Sequence, residues 1–388
     1  MLRWYRRPPV RLYAAMLTMA LTACHRRSAA DAPIGALEPA VTRQYADLAL
    51  AAYRDAAIGA RRLQAAIEAL VARPSRQALL DARQAWRESR QPYLRTEALR
   101  FYGGPIDRVE TLINTWPVDE AYIDQIIADG RRFPRLDEEL LATLNLKEGE
   151  TSVATGYHAI EYLLWGADTD PHGPGDRPFT DYVPAGHHAV ERRRRGRYLQ
   201  AAASLLVRHL NELTTEWADA DRYRGRFLTL PPRQAVGVIL KGLGSLSGGE
   251  LAGERLTVAL ATKDQENEHS CFSDETTADI VGDAAGVEDL CLGRYRRADG
   301  SVLAGPGLCE LLARVHPALG RQLIGELAAS VAAARAIPAP FDQAILGSDD
   351  AVGRVAIQRT IAALEAQAAS LTQAAAVLGI APTVATGP

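Results

Sequence analysis

From residue 39 to residue 72 the chain keeps one apolar rhythm. Val41, Tyr45, Leu48 and Ala52 follow one another at steps of three or four, and nothing interrupts the pattern before Pro74-Ser75. That step lays one apolar face along a helix. The same spacing carries a second helix from about 75 to 101 through Leu79, Leu80, Trp86 and Tyr93, with Pro92 expected to kink it or end it early. Further helices are predicted over about 105–113, 119–129, 150–165, 187–219, 232–263, 306–336 and 350–378. One more is expected after Ser273, with Asp274 and Glu275 in its first turn, where the helix dipole favours acids. Alternating Val/Ile runs are scarce and Ala and Leu abound, so no strong strand is predicted and the fold class is all-α.

Residues 166–186 hold four Gly, four Pro and four Asp, which marks a loop long enough to be a linker or a functional segment. It divides the chain into a first helical bundle, 39–165, and a second, 187–380. The halves are similar in helix content, a hint of duplication.

Residues 1–23 read as a bacterial secretion signal: Arg3, Arg6, Arg7 and Arg11, then an apolar run, then small residues. Leu21-Thr22-Ala23-Cys24 resembles the lipobox of bacterial lipoproteins. Cys24 is then the lipidated first mature residue, and 24–38 is a tether that holds the protein on a membrane face without spanning it. His25, rather than Asp, after the Cys points by resemblance to the outer membrane.

Formal charge is −3, and the loss of the leader's four arginines, with no acid, takes it to −7. That excludes a nucleic-acid partner. The run Arg192–Arg195 reads as the solvated start of a helix. Met1, Met16 and Met19 all lie in the leader, which excludes a thioether Cu(I) site in the mature chain. Cys271, Cys291 and Cys309 remain, and three pairings are open. A Cys291–Cys309 bridge would span the turn-rich stretch between them and stabilise by roughly 3 kcal/mol.

The most demanding stretch is 153–165. Val153, Tyr157, Ile160 and Leu164 form one stripe; Ala154, His158, Glu161 and Trp165 form its neighbour. A helix apolar nearly all round is a buried helix, and a carboxylate there is costly unless paired or bound to metal. Gly156 implies close approach of another backbone or a ligand. His158 and Glu161 are either a buried pair, bonded to each other or to Arg or Tyr from elsewhere, or two ligands of one ion. Imidazole and carboxylate suit zinc, iron, manganese or Cu(II).

Gly156-x-His158-x-x-Glu161 resembles the GxHxxE signature of the imelysin-like family. The likeness extends to Arg90-Gln91-Pro92-Tyr93 with Glu97, Phe101–Asp107, Asn114–Asp124, Gly173–Pro178 with Asp181-Tyr182, and Glu268–Asp274, spanning about 40–380. It implies two helical-bundle domains, a periplasmic or surface location, often with a lipid anchor, and metal binding at the HxxE pair. Several members are tied to iron uptake, and some are classed as metallopeptidases.

Two ligands are too few for a metal site. Glu97, on the Trp- and Tyr-bearing helix, and Asp119, beside Trp116, are the best additional candidates, although Asp119 would equally cap a short helix. Asp107 reads equally as a first-turn acid. His269 and Asp274 flank Cys271 in an acidic cluster with Asp264, Glu266 and Glu268, the pattern of a solvated helix end, yet His269, Cys271 and the adjacent Phe272 look less like surface. His172, His187 and His188 lie in or beside the loop and are expected to be exposed. HExxH is absent, HxxEH would need a His where Tyr162 stands, and Gly244–Gly249 is no nucleophile elbow; that stretch instead suits close helix packing or a break. The reading is therefore a lipid-anchored periplasmic protein that binds a transition metal, iron by family resemblance with zinc or copper as alternatives, for uptake or sensing. Its expected partners are the membrane and envelope iron-transport proteins. A metal-dependent envelope peptidase is the alternative.

Overall fold

The structure, a computed structural model, describes residues 34–169 and 172–380; the leader and Cys24 lie outside them. It is all-α apart from one small hairpin. Two long helices, α1 (Ile34–Ala72) and α2 (Arg76–Leu94), pack side by side. Ser75 caps α2 by accepting from the Ala78 N–H, and α2 ends two residues after Pro92. Tight 3-10 turns at Ile106–Arg108 and Glu110–Leu112 replace the helix predicted there. Then come α3 (Glu120–Ala128), α4 (Glu138–Leu144) and α5 (Gly156–Trp165).

Beyond the 166–186 loop, α6 (Ala189–Ala218) lies against α1 and α5. It is followed by α7 (Tyr223–Leu228) and α8 (Pro232–Gly244). The backbone then stays helical through a π-helical stretch, Ser245–Thr257, into α9 (Val258–Thr262). There Gly248 comes close to Ala368, so this glycine-rich stretch does let two helices approach. The chain closes with α10 (Thr276–Leu292), α11 (Leu308–Val315), α12 (Pro317–Arg335), α13 (Phe341–Ile345) and α14 (Val352–Val377). Pro317 at the first position of α12 splits the single helix predicted over 306–336.

The hairpin β1 (Arg294–Arg296) and β2 (Val302–Ala304) was not expected. It pairs Tyr295 with Leu303 and follows directly after Cys291, which is disulfide-bonded to Cys309. Buried Asp55 on α1 holds the hairpin by accepting from Tyr295 Oη, the Ala298 N–H and Arg297.

Two of the four arginines at 192–195 are not solvated. Arg194 is buried and donates to the Ile126 and Ile127 carbonyls, so it caps the end of α3, while buried Arg195 reaches Asp181 and Glu191. The 166–186 segment is tied in on several sides: Arg83 donates to the Leu164 and Arg177 carbonyls, and the Gly175 N–H donates to the Phe272 carbonyl. Among the described residues, no helix is long and apolar enough to cross a membrane.

Candidate functional site

All ten residues of α5 are buried. The helix begins at Gly156, whose φ is +83° and whose position would put a Cβ 2.4 Å from the Ile113 carbonyl oxygen. That carbonyl accepts from the Tyr157 N–H at 2.7 Å, so the close backbone approach implied by the glycine comes from the 110–113 turn. Two residues on, His158 Nδ1 lies 2.8 Å from Glu161 Oε2. The other oxygen, Glu161 Oε1, accepts from the Ser273 N–H at 3.0 Å and from Ser273 Oγ at 2.7 Å. Both oxygens of the carboxyl are thereby used.

Burial pushes Glu161 up to about 8, against the Ser273 hydrogen bonds and the Arg90 charge. Burial and then the positive charge of Arg90 push His158 well below the usual imidazole range. At neutral pH the pair is therefore uncharged. Nδ1 faces Glu161, while His158 Nε2 is buried and has no hydrogen-bond partner. An orphaned buried polar atom costs about 1–3 kcal/mol, and its position invites a ligand.

The ring of His269 lies 4.7 Å from that of His158. His269 is held on both nitrogens: Nδ1 lies 2.7 Å from Asp279 Oδ2, and Nε2 lies 3.3 Å from Asn114 Nδ2. These contacts fit Nδ1–H donating to Asp279 while Nε2 accepts from Asn114. Arg90 closes the circuit, donating from Nε to Asp279 Oδ1 at 2.9 Å and from NH1 to Asn114 Oδ1 at 2.8 Å. Burial works against the Asp279 charge, but Arg90 and His269 overcome it and hold the carboxyl far below its ordinary range. Burial, then the Arg255 charge, lowers His269 to about 4.

A second buried cluster is centred on Arg255, from the π-helical stretch. It donates to Asp283 Oδ2 at 2.6 Å, to Glu97 Oε2 at 2.8 Å and to Glu250 Oε1 at 2.9 Å. Arg100 also donates to Glu97 Oε2, at 2.6 Å. Burial opposes the Glu97 charge, yet the two arginines hold it down at about 2. The π register places Arg255 and Glu250 five apart and lets them meet directly.

Comparison with known proteins gives the family. A family model described as Imelysin matches residues 49–371, most of the chain. The chain belongs to the imelysin family. It is 28% identical over 337 residues to iron-regulated protein A of Synechococcus elongatus, covering 83% of each chain. Its fold is similar to that of a crystal structure assigned to an iron-regulated protein A precursor of Parabacteroides distasonis: TM-score 0.68, 18% identity, 88% of this chain and 96% of the other. It is also similar to an imelysin-like protein of Psychrobacter arcticum: TM-score 0.63, 16% identity, 90% of this chain and 98% of the other.

In this imelysin-family chain, only two of the four ligands expected from sequence come together. His158 and Glu161 meet; Glu97 is buried but bound to Arg255 and Arg100, and Asp119 is exposed and caps α3 by accepting from the Tyr122 N–H. Among the described residues, no three His, Cys, Asp or Glu side chains converge as a ready metal cage. What fits a metal is the donor chemistry at His158: a neutral imidazole, oriented through Nδ1 by a carboxyl, with Nε2 buried and unpaired.

Asp107 turns out to organise a loop, accepting from the Phe101, Gly103 and Gly104 N–H groups. His172, His187 and His188 are exposed. The block Glu268–Ser270 and Ser273 are buried rather than a solvated helix end.

Sequence assigned no role to Arg90, Asp279, Ser273, Arg255 or Asp283, although Arg90 and Ser273 fall within the family-like blocks. A signal existed for three of them. Leu79, Arg83, Trp86, Arg90 and Tyr93 form one stripe of α2, so Arg90 sits where an apolar residue belongs. Asp279 and Asp283, four apart, share the buried face of α10.

Proposed function

We propose that this imelysin-family protein binds a transition metal ion at His158, with Glu161 fixing the ring rather than completing a pre-formed cage. The observation that carries this reading is the buried, unpaired Nε2 of a ring anchored through its other nitrogen. Nε2 would hold the ion, and water or a reoriented Glu161 would fill the remaining positions. A cation at Nε2 would relieve the cost of the orphaned atom and release one proton from the neutral pair to solvent.

Iron is the first metal to test, because two of the relatives are described as iron-regulated. The role that follows is iron uptake or sensing at the cell envelope. A lipid anchor at Cys24 and an outer-membrane location remain part of this proposal, as do envelope iron-transport partners.

Anaerobic calorimetric titration with Fe(II), and separately with Zn(II), tests the assignment. Wild type is expected to bind stoichiometrically and His158→Ala to lose binding while still folding, with a lowered melting temperature because Glu161 Oε2 loses its partner. Equal binding by both proteins would remove His158 from the site. Casein cleavage by wild type that disappears in His158→Ala would favour the metal-dependent peptidase instead.

A further inference from the structure

His158 Nε2 is buried, so whatever binds it must first be let in. Arg90, Asn114, Asp279 and Ser273, which bond to His269 or Glu161, are each only 1% exposed. Trp116 differs. It is half-buried, and its ring meets that of His269 edge-on, with centroids 5.4 Å apart and planes at 80°. Among the described residues, Trp116 is the one hydrogen-bond or ring partner of His158, Glu161 or His269 that reaches solvent. Three rings therefore run inward from the surface: Trp116 to His269 at 5.4 Å, then His269 to His158 at 4.7 Å.

The other walls resist opening. α5 is buried on every face, α2 carries Arg90 and α10 carries Asp279. An opening on those sides would unpack a helix or separate a buried ion pair, which is strongly destabilising. Trp116 lies instead in the irregular segment between Leu112 and Glu120. Its ring can turn outward for the loss of one edge-to-face contact and of the part of its surface that is covered. His269, held on both nitrogens, stays behind as a fixed wall.

We propose that Trp116 is the cover of the buried site and controls entry to His158 by turning off His269. An opening one indole wide suits an ion with a few waters and not a polypeptide chain. The inference rests on His158 as the binding ring and names the residue that regulates access to it.

The test is labelling of the metal-free full chain with diethyl pyrocarbonate, which acylates unprotonated ring nitrogens, read residue by residue by mass spectrometry. His209 is the matched control. It too is buried, with Nδ1 3.1 Å from Glu212 Oε2 and Nε2 without a partner, but it lies on α6, outside this stack of rings. His187 is exposed and gives the unhindered rate. A closed site that opens as a minor state predicts wild-type labelling at His158 at least about tenfold slower than at His187. Trp116→Ala should raise the His158 rate by about tenfold or more and leave His209 unchanged. Trp116→Phe, with a smaller ring, should fall between. An unchanged His158 rate in Trp116→Ala overturns the proposal. So does a joint rise at His158 and His209, because the substitution then loosens the whole fold. A wild-type His158 that labels as fast as His187 also overturns it. No metal enters this experiment, so the expected labelling pattern in a protein that fails to bind Fe(II) or Zn(II) retires the metal and keeps the cover.

Discussion

Ser273 and Glu161 stand 112 residues apart in the chain and meet through two hydrogen bonds on one carboxyl oxygen. This contact joins α5 to the loop ahead of α10 and leaves the second Glu161 oxygen for His158. Ser273→Ala removes the hydroxyl bond and keeps the N–H bond. Chemical denaturation should show a loss of about 1 kcal/mol, and metal affinity at His158 should fall by about tenfold or more as the ring loses its fixed orientation. Affinity unchanged by the substitution would remove the Ser273–Glu161 contact from the support of the site.

Arg90 and Asp279 form a buried pair with three further partners, His269, Asn114 and Ser270. Removing the guanidinium strands the Asp279 carboxylate. Arg90→Met is expected to cost about 3–5 kcal/mol in urea denaturation. Arg90→Met/Asp279→Asn should recover part of the loss, since no uncompensated charge then remains.

Gly156 has a backbone conformation that L side chains rarely adopt, and a Cβ there meets the Ile113 carbonyl. Gly156→Ala should destabilise by about 1–3 kcal/mol from backbone strain, with the clash adding to it. Circular dichroism melting measures the effect. A stability within error of wild type would mean that the 110–113 turn yields easily.

The pH dependence of stability follows from opposed shifts. Glu161 at about 8, Glu268 at about 9 and Asp274 at about 7 are raised chiefly by burial. Between the unfolded carboxyl value and these values the folded chain holds protons that the unfolded chain has released, so stability falls as pH rises through that window. Glu97 at about 2, together with the depressed Asp279, acts the other way: stability is present above the unfolded carboxyl value and lost in strong acid. The lowered His158 and His269 also favour the fold above the unfolded imidazole value and weaken it below that value. The melting temperature should therefore be higher near pH 6 than near pH 9 and collapse below about pH 4. Glu268→Gln should narrow the gap between pH 6 and pH 9. A melting temperature that climbs steadily to pH 9 would contradict the raised carboxyls.

Local rules made much of this legible in advance. Apolar spacing identified α1, α6 and α14 to within a few residues, because burying one face requires a helix to repeat at its own period; α2 was found at its start but ends at Leu94, two residues after Pro92, rather than near 101. The same rule marked α5 as buried and picked out His158 and Glu161 within it. Errors fell where tertiary packing overrides local preference: the hairpin after Cys291, the inward turn of Arg194 and Arg195, and the π-helical stretch that brings Glu250 onto Arg255.

The sequence by itself determined that an imidazole and a carboxyl would share a greasy helix, since periodicity tells which face is hidden. Only the tertiary structure decided their partners. It gave Glu161 to Ser273, Glu97 to Arg255 and Asp119 to the exposed cap of α3. A buried polar group must be answered by whatever partner the folded chain brings beside it, and Ser273 and Arg255 reach Glu161 and Glu97 from more than a hundred residues away.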